Sequence, residues 1–112
     1  TTTTDASTVT VPFAGITPAT GRAWYVEVQA TAKRTNGVGV TSIKIEGIVD
    51  NSAGTVSIVG TAGNRTVYNS TTTTSNYDLV LSTPSSASFQ VGVRGDTGHD
   101  VNWAVRITYH EV

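Results

Sequence analysis

The chain contains no cysteine and no methionine, and only three prolines interrupt its 112 residues. The lack of cysteine excludes a disulfide framework, a thiolate metal site and a cysteine nucleophile. Because position 1 is Thr rather than Met, we expect the chain to be cut from a longer protein at Thr1. No targeting segment with a charged start and an apolar run opens the sequence.

Charge is also scarce. Lys and Arg number seven, Asp and Glu number eight, and the formal net charge is −1. A binder of nucleic acid or of an anionic membrane normally carries a strongly basic patch, which this composition does not supply. No apolar run approaches the ~20 residues of a membrane span. We therefore expect neither a nucleic-acid partner nor membrane insertion.

Thr and Val are abundant, and both residues favour strands over helices. Two segments alternate with a period of two, Gly21 to Lys33 and Val101 to His110, and each places a Trp on one face. This alternation is typical of half-buried strands. It directs the Trp24 face to a core and the Tyr25 face to water or to a partner.

Further short alternating segments are separated by turn signals every 8–12 residues, a spacing typical of a sandwich. Asn36-Gly37 is a strong hairpin signal between the long strand and the next one. The sequence predicts an all-β fold, an antiparallel β-sandwich or jelly roll of about seven or eight strands, with a closed barrel as the lesser alternative. Residues 1–7 are interpreted as a flexible lead-in, and residues 8–112 as a single domain.

The expected core comprises the large apolar residues on the inward faces of the predicted strands. They are Trp24, Val26, Val28, Ile43, Ile45, Val49, Ile58, Leu79, Leu81, Phe89, Val91, Val93, Trp103, Val105 and Ile107.

Enzymatic templates are not matched. No Gly-rich phosphate loop opens a helix, no nucleophile elbow is present, and the acidic residues are scattered rather than paired. We expect no catalytic residues, no cofactor and no metal centre, and interpret the domain as non-enzymatic.

One local cluster has ligand chemistry: Asp96, His99 and Asp100 lie within five residues. Two carboxylates and an imidazole can bind a divalent cation or sugar hydroxyls. The alternative is a polar turn in which Asp caps backbone N–H groups and Gly98 adopts a positive φ.

Four apolar residues fall on faces that the alternation assigns outward: Tyr25, Ile48, Val59 and Val80. Together they can form a patch for a partner subunit, unless their strands are buried on both sides. Tyr25 is also a candidate platform for stacking against a sugar ring.

Several of these segments also carry a family resemblance. The stretch from about residue 20 to residue 112 resembles the C-terminal β-sandwich module of tailed-bacteriophage tail fibres and tailspikes. The segments that carry it are Ala23 to Val28, Ala32 to Thr35, Lys44 to Gly47 with Val49, Val59 to Thr61, Trp103 to Val105, and Glu111-Val112.

The resemblance implies a virion location, a homotrimer, and a role in binding a bacterial surface glycan or in capping the trimer. It transfers no binding residue, because residues 60–76 match nothing in the family pattern and receptor contacts are expected in such loops. Two other interpretations stay open. One is a structural virion protein without a ligand, such as a capsid decoration or fibre-folding module. The other is a carbohydrate-binding module of a secreted bacterial protein.

Overall fold

A computed structural model describes residues 1–11, 17–35, 39–60, 65–69, 77–85 and 88–112. Within these ranges there are nine β-strands, and no helix is long and apolar enough to cross a membrane. The strands are β1 Thr2–Thr3, β2 Thr8–Thr10, β3 Arg22–Arg34, β4 Val40–Ser52, β5 Thr55–Val59, β6 Arg65–Asn69, β7 Asp78–Ser85, β8 Ser88–Arg94 and β9 Val101–Glu111.

The strands form two antiparallel sheets. The large sheet has six strands in the order β1-β9-β3-β4-β5, with β6 also paired to β4. The small sheet has three strands in the order β2-β8-β7. Buried side chains from both sheets form one apolar cluster. The predicted all-β antiparallel sandwich is confirmed, and the strand beyond the predicted eight is β1.

Strand β3 is the centre of the large sheet. It pairs with β4 from Arg22 to Lys33 and with β9 from Trp24 to Arg34. Its Trp24 face is buried, as the alternation predicts, and its Tyr25 face is exposed or half-buried. The Asn36-Gly37 turn itself lies outside the described residues, but the antiparallel pairing of β3 with β4 that it predicts is present.

Most of the expected core residues are buried, but Ile58, Leu81, Val105 and Ile107 are only partly so. Tyr109 shares the core-side face of β9 and is 48% exposed, with its ring stacked on Trp24 at a centroid distance of 4.0 Å. The strands of the small sheet span three to eight residues, against 13 for β3. They are therefore too short to cover the core-side face of the large sheet along its whole length.

The prediction of a flexible lead-in over residues 1–7 needs correction. Thr2 and Thr3 pair with Asn102 and Val101 of β9. The Thr3 side chain is 1% exposed, and its Oγ1 accepts a hydrogen bond of 3.0 Å from Trp103 Nε1. A buried indole N–H requires an acceptor, and this requirement orders a segment that has no periodicity of its own.

The turn between β4 and β5 has two central residues with positive φ, Ala53 at 54° and Gly54 at 90°. These angles give a type I′ turn, whose twist matches that of the flanking strands. The Asn51 side chain stabilises the turn, because its Oδ1 accepts a hydrogen bond of 3.1 Å from the Gly54 amide. Its Nδ2 also donates a hydrogen bond of 2.8 Å to the Pro18 carbonyl.

Candidate functional site

The outer face of the large sheet, which points away from the small sheet, carries a row of side chains that runs across four strands. His110 of β9 lies opposite Tyr25 of β3, Tyr25 lies opposite Ile48 of β4, and Ile48 lies opposite Val59 of β5. We call these four residues the outer row. Side chains directly opposite on neighbouring strands are in contact distance, so the register alone assembles the row.

Much of the outer row is apolar and open to solvent. Tyr25, Ile48 and Val59 are 36%, 43% and 53% exposed. They line a shallow groove of about 220 Å³ together with Glu46, Gly47 and Gly60. The Tyr25 and His110 rings lie 5.5 Å apart at a tilt of 34°. Sequence reasoning singled out Tyr25, Ile48 and Val59, and the structure brings these three together.

A charged row lies directly beside the outer row. Glu27 and Glu46 are opposite each other on β3 and β4, and Lys44 Nζ lies 3.7 Å from Glu27 Oε1 and 3.0 Å from Glu46 Oε1. The lysine thereby offsets the repulsion of two facing carboxylates. Its hydrogen bond to Glu46 lowers the pKa of the Glu46 carboxyl and raises that of the Lys44 amine, whose pKa the charge of Glu27 raises further.

The Tyr25 phenol is the link between the two rows. Partial loss of contact with water raises the pKa of Tyr25. The hydrogen bond to Glu46 and the negative charge of that carboxylate raise the pKa further. The phenol thus stays protonated at neutral pH and donates toward a carboxylate. The result is an aromatic face with an acidic acceptor at its rim, an arrangement suited to a ligand that is apolar on one side and rich in hydroxyls on the other.

A second shallow groove, of about 260 Å³, lies further along the same face between β3 and β9. Gln29, Thr31, Ala104 and Arg106 line it, and Arg106 Nη2 donates to Gln29 Oε1 at 3.2 Å. It adds amide, hydroxyl and guanidinium groups to the outer face.

Val80, the fourth residue expected in the apolar patch, does not join the other three. It lies on β7 in the small sheet, opposite Gly92 of β8, and is half-buried. The alternation assigns it outward correctly within its own strand, but its strand belongs to the other sheet.

The cluster at Asp96 is built around an ion pair. Arg34 Nη2 donates to Asp96 Oδ2 at 2.5 Å and Arg34 Nε donates to the Tyr77 hydroxyl at 2.7 Å. The Arg34 and Asp96 side chains are only 10% and 15% exposed. Burial raises the pKa of the Tyr77 phenol, and the hydrogen bond to that phenol raises the pKa of Arg34. Asp96 therefore neutralises a largely buried arginine at the end of β3.

The other two members of the predicted cluster, His99 and Asp100, make weaker side-chain contacts than Asp96. His99 Nδ1 lies 3.3 Å from Asp96 Oδ2, without the alignment of a hydrogen bond. The side chain of Asp100 is exposed, while its carbonyl accepts a hydrogen bond of 3.0 Å from the Thr35 amide. Gly98 has a φ of +82°, as the turn interpretation predicts. In the part of the chain that the structure describes, no three acidic or His residues are placed to hold a metal ion.

A pocket of about 480 Å³ adjoins this cluster and is lined by Ala6, Arg94, Gly95, Asp96 and Thr97.

The structure brings Asp96 and His99 together, but some 62 residues of sequence separate Asp96 from Arg34, its strongest partner. Sequence reasoning missed Arg34, Tyr77 and Glu46. An arginine at the very end of a predicted half-buried strand, just before a turn signal in the sequence, is the one feature that points to an acidic partner.

Comparisons of this chain with protein-family models, with curated proteins and with solved structures found no match.

Proposed function

We propose that this domain is a non-enzymatic recognition module of a bacteriophage tail fibre or tailspike, and that the outer face of its large sheet binds a bacterial surface glycan. The observation that carries the proposal is the outer row. Its exposed Tyr25 ring lies beside the Glu46 carboxylate of the charged row, at the rim of one open groove. A sugar presents an apolar ring face to an aromatic side chain and hydroxyls to a carboxylate. The resemblance to fibre modules supplies the virion setting.

The test is a glycan array of bacterial surface polysaccharides, followed by titration of the best ligand against three variants. Tyr25→Ala removes the platform and Glu46→Gln removes the acceptor charge. Tyr68→Ala is the matched control, because Tyr68 is 68% exposed and lies opposite Ser42, away from the outer row. We expect Tyr25→Ala to weaken binding by about fivefold, since one stacking contact contributes about 1 kcal/mol.

No binding to any polysaccharide on the array would reject the glycan role. An equal loss of affinity in Tyr68→Ala would reject the outer row as the binding site and place the contact elsewhere on the domain.

The second candidate function is structural: the outer row is covered by a sister subunit in a homotrimeric fibre tip. The observation that favours it is the pair of aliphatic side chains, Ile48 and Val59, which are among the most exposed apolar residues of the strands. Solution mass measured over a range of concentrations tests it with Val59→Ser. Val67→Ser is the control, because Val67 is 44% exposed and pairs with Ile43, on the core-side register of β4. A trimer that survives Val59→Ser would contradict this candidate.

A further inference from the structure

One edge of β9 is open for most of its length. On one side, β9 pairs with β3 from Val101 to Glu111. On the other side β1 covers only its first residues, through the pairs Thr3 with Val101 and Thr2 with Asn102 and through the hydrogen bond of 2.8 Å from the Trp103 amide to the Thr1 carbonyl. Among the described residues nothing pairs with this edge beyond Trp103.

The hydrogen bonds show which backbone groups face the open side. The Trp103 amide points to β1, whereas the Val112 amide donates to the Ala23 carbonyl of β3 at 2.9 Å. Backbone groups alternate in direction along an antiparallel strand, so odd-numbered residues of β9 face the open edge and even-numbered ones face β3. The N–H and C=O groups of Val105, Ile107, Tyr109 and Glu111 therefore point outward as a row.

This open edge lacks most of the features that keep edge strands from pairing. Proteins block such edges with proline, charged side chains (above all lysine), bulges or very short strands. From Ala104 to Glu111 there is no proline, lysine or glycine, the charged residues are Arg106 and Glu111, and the register with β3 runs without a shift. Val, Ile, Thr and Tyr, which favour paired strands, fill half of the segment.

We infer that the open edge of β9 is a pairing surface for the same edge of a second copy of this chain, in an antiparallel arrangement about a two-fold axis at Thr108. In this register all four outward-facing residues find partners: Val105 with Glu111 of the partner subunit and Ile107 with Tyr109 of the partner subunit, each twice. Moving the axis to Ile107 would place the partner's Glu111 opposite Trp103, where Thr1 of β1 already lies. β1 thus excludes registers that extend past Val105 toward Trp103, and the axis at Thr108 pairs all four outward-facing residues.

The side chains on both faces are compatible with this register. On the core side, Ile107 contacts the partner's Tyr109. This contact extends the apolar face that the small sheet leaves partly uncovered. On the outer face, Thr108 meets the partner's Thr108 on the axis, and such Thr pairs are favourable between strands. Two six-stranded sheets would join into one continuous sheet. The inference rests on the open edge of β9 and its contacts with β1 and β3, and it is independent of the proposed function.

Amide hydrogen exchange of the unmodified chain tests the inference directly. Amides of Ala104, Arg106 and Thr108 bond to β3 and should be protected at every protein concentration. Amides of Val105, Ile107 and Tyr109 should become protected only as the concentration rises, by roughly tenfold between about 10 µM and 1 mM once the dimer dominates, as mass action requires. Rapid exchange of the second set at all concentrations would overturn the inference. Concentration-independent protection would overturn it too, because a segment of the same chain would then occupy the edge.

Cysteine trapping tests the register, because the chain contains no native cysteine. Thr108→Cys places two thiols on the axis, in a pair whose Cα atoms are about 4.5 Å apart, within disulfide range. Arg106→Cys is the matched control on the same strand and face. It would separate the two thiols by four residues along the strand axis, roughly 14 Å, which is too far for a disulfide. We expect a covalent dimer from Thr108→Cys only, and a dimer from Arg106→Cys alone would reject the register.

Ile107→Pro provides a third test, which asks whether the outward-facing amide of β9 is needed for the dimer. Because the Ile107 amide faces the open edge, proline there removes an outward donor and leaves the hydrogen bonds to β3 in place. The variant should stay monomeric at concentrations where the unmodified chain has the mass of a dimer. A trimer mass in the unmodified chain that persists in Ile107→Pro would contradict the inference and point to the outer row as the contact.

Discussion

The hydrogen bond between Trp103 and Thr3 gives the sharpest prediction about stability. Thr3→Val keeps the size and shape of the side chain and removes only the Oγ1 acceptor. The indole N–H, in a side chain that is 5% exposed, would then have no partner. Because the substitution preserves volume, the cost comes from the unsatisfied donor and not from a cavity.

The magnitude follows from the burial. A buried donor left without a partner costs about 1–3 kcal/mol, so we expect a loss of about 2 kcal/mol in the free energy of unfolding. An unfolding entropy of about 2.1 cal/mol/K per residue gives about 0.24 kcal/mol/K for a chain of this length. The midpoint of thermal unfolding should therefore fall by roughly 8 °C.

The assay is thermal and denaturant unfolding followed by circular dichroism and by tryptophan fluorescence. Thr2→Val is the matched control, since Thr2 is exposed and its hydroxyl meets only the exposed side chain of Asn102. We expect the control to change stability by less than about 0.5 kcal/mol. If Thr3→Val and Thr2→Val were equally mild, the N-terminal residues would not be an ordered part of the sandwich, and our account of β1 would be wrong.

Three further predictions concern a turn, an ion pair and a pH dependence. Ala53→Asn should stabilise the domain by about 0.5–1 kcal/mol in denaturant unfolding, because Asn tolerates the positive φ that Ala53 adopts in the type I′ turn; a loss of stability would contradict the assigned turn. Arg34→Met should lower the midpoint of denaturant unfolding clearly more than Arg22→Met, because Asp96 would keep a largely buried charge without its cation, whereas Arg22 is exposed; equal effects of the two substitutions would show that the pair is unimportant. The lowered pKa of Glu46 means that, as pH falls, the Glu46 carboxylate is protonated in the unfolded state before it is protonated in the folded state. The ionised carboxylate therefore stabilises the fold above about pH 4.5, and this stabilisation is lost as pH falls through the lower folded pKa. Glu46→Gln should flatten this part of the curve of stability against pH, and an unchanged acid limb would refute the assignment.

The sequence predicts the strands of this protein well because period-two alternation determines which face of a strand is apolar. β3 and β9 carry that pattern over their full length, and both have the predicted face toward the core. Alternation does not determine what covers a face. Tyr109 therefore lies on the predicted side of β9 and is still half exposed, and Val80 points outward from a different sheet than Tyr25.

Contacts between residues distant in sequence could not be predicted from local patterns. Thr3 is polar and sits in a threonine run, and only the indole of Trp103, 100 residues away, makes it a core residue. The Arg34 and Asp96 pair is equally non-local. By contrast, Tyr25, Ile48 and Val59 come together because adjacent strands place them opposite each other, so alternation and the hairpin signal were enough to group them.

The length of β3 has a mechanical consequence. The domain measures 47 Å along its longest axis, and β3 is hydrogen-bonded to β9 and β4 over nearly all of its 13 residues. A pulling force applied between the loop at Gly98 and the turn at Gly54, which lie at opposite ends of these strands, loads both ladders in shear. Their hydrogen bonds must then break together instead of one after another. Cysteine handles at Thr97 and Ala53 would let a single-molecule pulling experiment measure this, and we expect a higher unfolding force than when the short strand β5 is peeled from β4 sideways.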